Sequence, residues 1–203
     1  MQKIIAFGGT FNPIHFGHIH LYRHFAKLVN ADKAIIIPDY LPPHKAAKEL
    51  ASAEDRMEMC RLAVSDDKTA VVSDMELLRG GESYTAVTLE QLVRQNQNAL
   101  LYFVIGSDML FTLSQWREPQ KIVNLATICA AARHLNELEA LQKKACELKK
   151  IYGGEFIIDN IDVLDISSTQ LRLMIKEGKN LDKYLPSAVI KYIKMNGLYK
   201  NEI

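Results

Sequence analysis

Strong charge of one sign is missing from this chain: 25 Lys and Arg stand against 24 Asp and Glu, a formal net charge of +1. Such a balance creates no overall field that would gather a polyanion, and neither a basic stripe nor an aromatic platform motif marks a nucleic-acid partner. Cysteine is scarce and unpatterned. Cys60, Cys129 and Cys146 are odd in number, far apart and in no CxxC pair, which excludes a disulfide framework and a zinc knuckle and fits reduced, intracellular thiols. Long apolar runs are missing as well. After Met1-Gln2-Lys3 only Ile4-Ile5-Ala6-Phe7 precede Gly8-Gly9, too few for a signal-peptide core, and no other run approaches a membrane span. The expectation is a soluble cytoplasmic protein with no membrane partner. Internal repeats and low-complexity tracts are absent, and so are the GxxxxGK[S/T] and GxGxxG phosphate motifs. No Ser-His-Asp or Cys-His arrangement stands out, and no protein metal site is expected.

What is present suits a globular protein. With 203 residues, 48% of them hydrophobic and 24% charged, one domain is expected, burying roughly 70% of the surface of the unfolded chain. Ile4–Phe7, Ala34–Ile37, Ala70–Val72, Leu100–Ile105, Thr127–Ala132 and Phe156–Ile158 are short, nearly unbroken apolar runs, as in strands covered on both faces. Segments of helical period lie between them. Leu21, Phe25, Leu28 and Val29 form one stripe, and Met57, Cys60, Leu62, Ala63 and Val64 another behind a Ser52–Asp55 capping box. Tyr84–Gln97 and Leu135–Lys150 read as two further helices. Alternating strands and helices predict an α/β fold with a doubly wound parallel sheet. From about residue 166 to 203 the pattern becomes a small helical appendage, with hydroxyl caps at Ser167–Thr169 and Pro186 at a helix start. The long loop candidate, Pro38–Ala51, contains Pro42-Pro43-His44-Lys45.

In such a sheet ligands bind beyond the carboxyl ends of the strands, where Gly8-Gly9 follows the first run. Paired glycines let backbone N–H groups approach phosphate oxygens, and a helix beginning near Gly17 would aim its positive end at the same anion. His15 and His18, at i and i+3 on the first turn, point the same way and offer donors for charge developing on a transferring phosphate. A metal reading of the pair lacks a carboxylate or cysteine in the same segment.

Gly8-Gly9-Thr10-Phe11 followed by His15-x-Gly17-His18 resembles the HxGH signature of the class I nucleotidyltransferase superfamily. About 150 residues downstream, Ile166-Ser167-Ser168-Thr169-Gln170-Leu171-Arg172 resembles the superfamily's second element, a hydroxyl-rich stretch with a following Arg. Gly106-Ser107-Asp108-Met109-Leu110, Leu113-Ser114-Gln115-Trp116, Pro42–Lys45 and Ser83-Tyr84-Thr85-Ala86-Val87-Thr88-Leu89 extend the resemblance to the bacterial nicotinate-nucleotide adenylyltransferase family, in that family's order, from residue 3 to about 175. The resemblance implies a Rossmann-like domain that joins ATP to nicotinate mononucleotide, releasing deamido-NAD and pyrophosphate, with Mg2+ accompanying ATP.

Carried over by position, it implies that His15 and His18 stabilise the transferring α-phosphate. Gly8, Gly9, Thr10 and Phe11 would line the ATP site. Gly106 and Asp108 would meet the adenosine ribose, and Ser167, Ser168, Thr169 and Arg172 the outer phosphates. Tyr84, Thr85 and Trp116 would surround the nicotinate ring, with Lys45 and Arg133 on phosphate. Two positions depart from the pattern: Asn12 stands where the superfamily often has Asp, and Arg133-His134 where the family often has Arg-Pro. The rival readings are an adenylyltransferase for nicotinamide mononucleotide or phosphopantetheine, a cytidylyltransferase, and a non-catalytic nucleotide sensor. A sensor has no need of transition-state donors such as His15, His18 and Arg172.

Overall fold

Alternation explains why the apolar runs are unbroken. In a computed structural model of the chain, which describes residues 1–41, 50–132, 135–161, 164 and 166–200, neighbouring residues of each inner strand go to opposite faces of one sheet. Ile5, Phe7, Ile36, Val104, Cys129 and Ala131 enter one core, and Ile4, Ala6, Ile35, Ile37, Phe103, Ile105, Ile128 and Ala130 the other. A strand buried on both sides has no polar face to show.

The strands are β1 (Lys3–Gly9), β2 (Lys33–Pro38), β3 (Ala70–Val72), β4 (Leu100–Ile105), β5 (Thr127–Ala132) and β6 (Phe156–Asn160). All pair in parallel, in the order β3-β2-β1-β4-β5-β6. The helices among the described residues are α1 (Phe16–Val29), α2 (Ala53–Ala63), α3 (Met75–Arg79), α4 (Thr85–Gln95), α5 (Ser107–Thr112), α6 (Pro119–Leu125), α7 (Leu135–Tyr152), α8 (Ser168–Lys176) and α9 (Ser187–Met195). The first core is covered by α1, α2, α8 and α9, and the second by α3 to α7. Leu171, Leu185, Val189 and Ile193 thereby bring the C-terminal helices into the same apolar cluster as Phe25 and Cys60. None of the helices of the described residues is long and apolar enough to cross a membrane.

This is the doubly wound sheet expected from the sequence, with the reversal of strand order between β1 and β4. The crevice beyond their carboxyl ends is where such sheets take ligands. Several local details differ from the sequence reading. Gly8 and Gly9 are the last residues of β1, paired with Ile37 and Pro38, rather than a turn following it. On α1 the buried face is Ile19, Tyr22, Phe25 and Val29, whereas Leu28 is 47% exposed. Tyr22 can occupy the core side because its hydroxyl donates to Asp67 at 2.9 Å at the margin. On α2 the capping by Ser52 is present, its Oγ accepting the Asp55 N–H at 3.0 Å. Arg56, a charge in line with Cys60 and Ala63 on the buried face, is 0% exposed.

Candidate active site

The loop from Thr10 to His15 leaves β1 at the sheet's switch point, and three of its carbonyls are turned to side-chain donors. Arg56 Nη1 donates to Thr10 O at 3.0 Å, Arg172 Nη1 to Asn12 O at 3.0 Å, and Ser168 Oγ to Pro13 O at 3.0 Å. The C=O and N–H of a trans peptide point oppositely, so the N–H groups of Phe11 and Ile14 face away from Arg56 and Ser168. Phe11 itself is left-handed, at φ 47°. The loop is thus held by its acceptor edge, the arrangement that spares donors for an anion.

His15 is the N-cap of α1, in extended backbone at φ −146°, and not a member of the first turn as its spacing suggested. The i, i+3 relation still brings the pair together, because an N-cap and the third helical residue face each other across the helix start. The two rings stack with centroids 3.7 Å apart, and His18 Nδ1 accepts the His15 backbone N–H at 3.2 Å. That bond puts the proton of a neutral His18 on Nε2, the outer edge of the ring. Phe11 packs edge-on against His18 at 5.2 Å, and His15 is only 5% exposed.

Gly17 explains why no side chain stands between the histidines. A Cβ there would lie 3.0 Å from His15 Nδ1 and 3.1 Å from its Cε1. Gly17→Ala is expected to leave the melting temperature close to wild type, since Ala favours helix. By shifting the His15 ring a few tenths of an ångström it should slow turnover on the order of tenfold. Thermal melts and pyrophosphate release measured on the same preparation check both halves.

Beside the loop, Arg56 binds five acceptors. Besides Thr10 O, these are Ala51 O at 3.1 Å, Asp39 O at 2.7 Å, Asp39 Oδ1 at 2.8 Å and Tyr40 O at 3.0 Å. Asp39 Oδ2 in turn accepts the Thr10 hydroxyl at 2.9 Å. A planar fork that cannot lose its proton suits this convergence of carbonyls, and one ion pair inside it balances the charge. Sequence reasoning missed Arg56. A charge inside an otherwise apolar helical stripe was the available signal.

Across the switch point, Gly106 caps α5 and Asp108 folds back over it. A Cβ at Gly106 would sit 2.6 Å from Asp108 Oδ1. The carboxylate lies in the first turn of a helix, at its positive end, and Asp108 is exposed. From the far end of the chain, Ser167 caps α8 in a reciprocal box with Gln170, at 2.7 and 3.2 Å. Ser168 and Arg172 reach the β1 loop as above, and Thr169 Oγ1 accepts from Arg172 Nη2 at 3.4 Å. The two motifs separated by 150 residues are therefore in direct contact. In this structure Ser168 and Arg172 donate to the loop, and Ser167 caps α8 as its hydroxyl suggested.

The aromatic residues also converge. Tyr84 caps α4 and donates to Glu82, while the Arg117 guanidinium lies 4.4 Å from its ring centroid. The hydroxyl's hydrogen bond to the Glu82 carboxylate is the main reason this phenol is pushed above its ordinary pKa. Trp116, next to Arg117, donates from Nε1 to Thr112 Oγ1 at 3.3 Å and meets Phe103 edge-on at 6.4 Å. Thr85 begins α4. The strand end after β2 joins this group, with the Ser83 N–H donating to Leu41 O at 3.1 Å. Arg117 was not singled out in the sequence, although it neighbours Trp116. Lys45 and Arg133 lie outside the described residues. The buried thiols take no part: burial pushes Cys129 up to about 12 and Cys60 higher still.

The cytidylyltransferase-like family model matches residues 6–174. A protein of Lachnoclostridium phytofermentans named "probable nicotinate-nucleotide adenylyltransferase" is 37% identical over 199 residues, covering 98% of this chain and 100% of its own. One of Desulfitobacterium hafniense with the same name is 38% identical, covering 98% and 96%. Among solved structures, nicotinic acid mononucleotide adenylyltransferase of Plasmodium falciparum complexed with NaAD superposes with a TM-score of 0.79 at 20% identity, covering 98% of each chain, and so shares the fold. Identity at this level along the whole length, with the loop after β1, the HxGH pair and the Ser-Ser-Thr helix start meeting at one switch point, assigns the chain to the nicotinate-nucleotide adenylyltransferase family.

Proposed function

We propose that this protein transfers the adenylyl group of ATP to nicotinate mononucleotide, forming deamido-NAD and pyrophosphate, in the cytoplasm. The observation that carries the chemistry is the His15–His18 stack at the head of α1, beneath a loop held by its carbonyl edge. Family membership carries the choice of substrates.

A phosphate monoester has its second pKa near 6 and is already a dianion at about pH 7, so the nucleophile needs no strong base. An oxygen of the mononucleotide's 5′-phosphate forms the new bond to the α-phosphorus of ATP as the bond from that phosphorus to the β-bridging oxygen breaks. The electron pair leaves on pyrophosphate. What remains for the protein is positioning and charge stabilisation. His18 Nε2 and the His15 ring would meet the oxygens of the α-phosphate. The backbone at Gly8, Gly9, Thr10 and Phe11 and the helix start of α8 at Ser167, Ser168 and Thr169, with Arg172, would border the triphosphate. Gly106 and Asp108 would meet the ribose. Tyr84, Thr85 and Trp116 would flank the pyridine ring, with Arg117 adding a cation beside it, which favours an acid over an amide substituent. Lys45 and Arg133 are assigned to the nucleotide's phosphate by family position alone.

No group of three or more His, Cys, Asp or Glu among the described residues could cage a metal. Mg2+ would be held by the triphosphate oxygens, with Asp108 the acidic side chain the site offers beside it, and would supply neutralising charge there.

A coupled pyrophosphate assay with ATP, offering nicotinate and nicotinamide mononucleotides side by side, tests the reading. Faster release with the acid is expected. Preference for the amide would overturn the substrate assignment, and no release with either would overturn adenylyl transfer.

A further inference from the structure

The end of the chain reaches the phosphate loop. Tyr199 donates from its hydroxyl to Asn12 Oδ1 at 2.7 Å, across 187 positions of sequence. The same oxygen accepts the Ala51 N–H at 3.1 Å. Two donors on one atom identify it as the amide oxygen and fix which way the Asn12 side chain is turned. Asn12 is therefore gripped twice, by its side-chain oxygen and, through Arg172, by its main-chain carbonyl. It lies two residues after Thr10, which Arg56 holds, and three before His15.

Tyr199 is itself built for this contact. Its backbone is left-handed, at φ 62°, a conformation that a bulky side chain seldom adopts without compensation. Its ring packs on the core shared by α1, α2, α8 and α9. Burial pushes the phenol well above its ordinary pKa, so the hydroxyl remains a donor at every pH the enzyme meets. A neighbouring tyrosine supplies the contrast. Tyr192, on α9, donates to Asp55 Oδ1 on α2 at 2.9 Å, which docks helix to helix without touching the loop.

We propose that Tyr199 is a positioning residue for adenylyl transfer: its hydrogen bond to Asn12 sets the loop that carries His15, and with it the His15–His18 stack. Its activity readout rests on the function proposed above; its spectroscopic readout does not.

The test compares Tyr199→Phe with Tyr192→Phe in the full chain, each losing one hydroxyl. Both should melt at similar temperatures. Tyr199→Phe should lower kcat by about three- to tenfold with KM for ATP and the mononucleotide moving by less than about twofold, while Tyr192→Phe keeps wild-type kcat. Because Tyr199 acts through Asn12, the double variant Tyr199→Phe/Asn12→Ala should be no slower than Asn12→Ala alone. The imidazole proton resonances of His15 and His18 should shift in Tyr199→Phe and stay in place in Tyr192→Phe. Equal kcat in the two tyrosine variants, multiplicative losses in the double variant, or unmoved imidazole resonances would each overturn the proposal. A wild-type chain that releases no pyrophosphate would instead sink the adenylyl-transfer reading, and the resonances would still decide for or against Tyr199.

Discussion

His18→Ala should lower kcat on the order of 10²–10³-fold with little change in KM for ATP, the loss typical of one donor aimed at charge that develops in the transition state. The geometry says which part of the ring matters. Nδ1 accepts the His15 N–H, so in a neutral ring the donor is Nε2. Alanine removes both roles at once: the donor, and the acceptor that ties down the helix start. His18→Gln separates them. Glutamine at the third helical position is a usual capping-box partner and can take back the His15 N–H, but it has no imidazole. The expected result is a melting temperature near wild type with turnover as low as in the alanine variant. Near-wild-type pyrophosphate release by either variant would remove His18 from the chemistry.

The largest effect on stability is expected at Arg56. Arg56→Ala removes a cation that is 0% exposed and leaves the Asp39 carboxylate, 14% exposed, together with the carbonyls of Thr10, Tyr40 and Ala51, without their donor. Breaking a buried ion pair from one side costs about 3–5 kcal/mol. For a chain of this size each kcal/mol moves the melting temperature by roughly 2–4 °C, so a fall of about 6–20 °C is expected by calorimetry. Arg56→Lys should recover only part of it, because an ammonium keeps the charge but cannot span five acceptors held in a fork. Activity should fall even below the melting transition, since Thr10 is one end of the loop that places His15. A variant that melts within a degree or two of wild type would show that the acceptors find other partners.

Much of this was legible in the residues because it is local. An unbroken apolar run between turn residues has few choices but a doubly covered strand, and all six runs became strands. Ser52 and Ser167 cap the helices they precede, since a cap needs only its own next three residues. What failed was mostly decided from outside the segment. Gly8-Gly9 resembled a turn, yet β2 continues alongside and pairs with both, which holds them in the strand. His15 looked helical by spacing, but it caps the helix instead. Leu28 matched a stripe whose true centre is displaced toward Tyr22, because Asp67 from another element satisfies that hydroxyl.

By itself, then, the sequence determined the α/β class, the positions of the strands, and the residue types of the proposed site: the glycines that end β1, the two histidines with glycine between them, and the hydroxyl-rich start of α8. Those depend on backbone preferences and side-chain spacing within a few residues. Only the tertiary structure decided how they meet. The strand order turns at β1 and β4, which sets the carboxyl ends of these two strands side by side, and α8, α9 and Tyr199 fold back over the same core. That return puts Ser168, Arg172 and Tyr199 on the carbonyls and amide oxygen of a loop more than 150 residues earlier. Periodicity carries no information about such contacts, because each is fixed by which faces pack and not by what neighbours a residue along the chain.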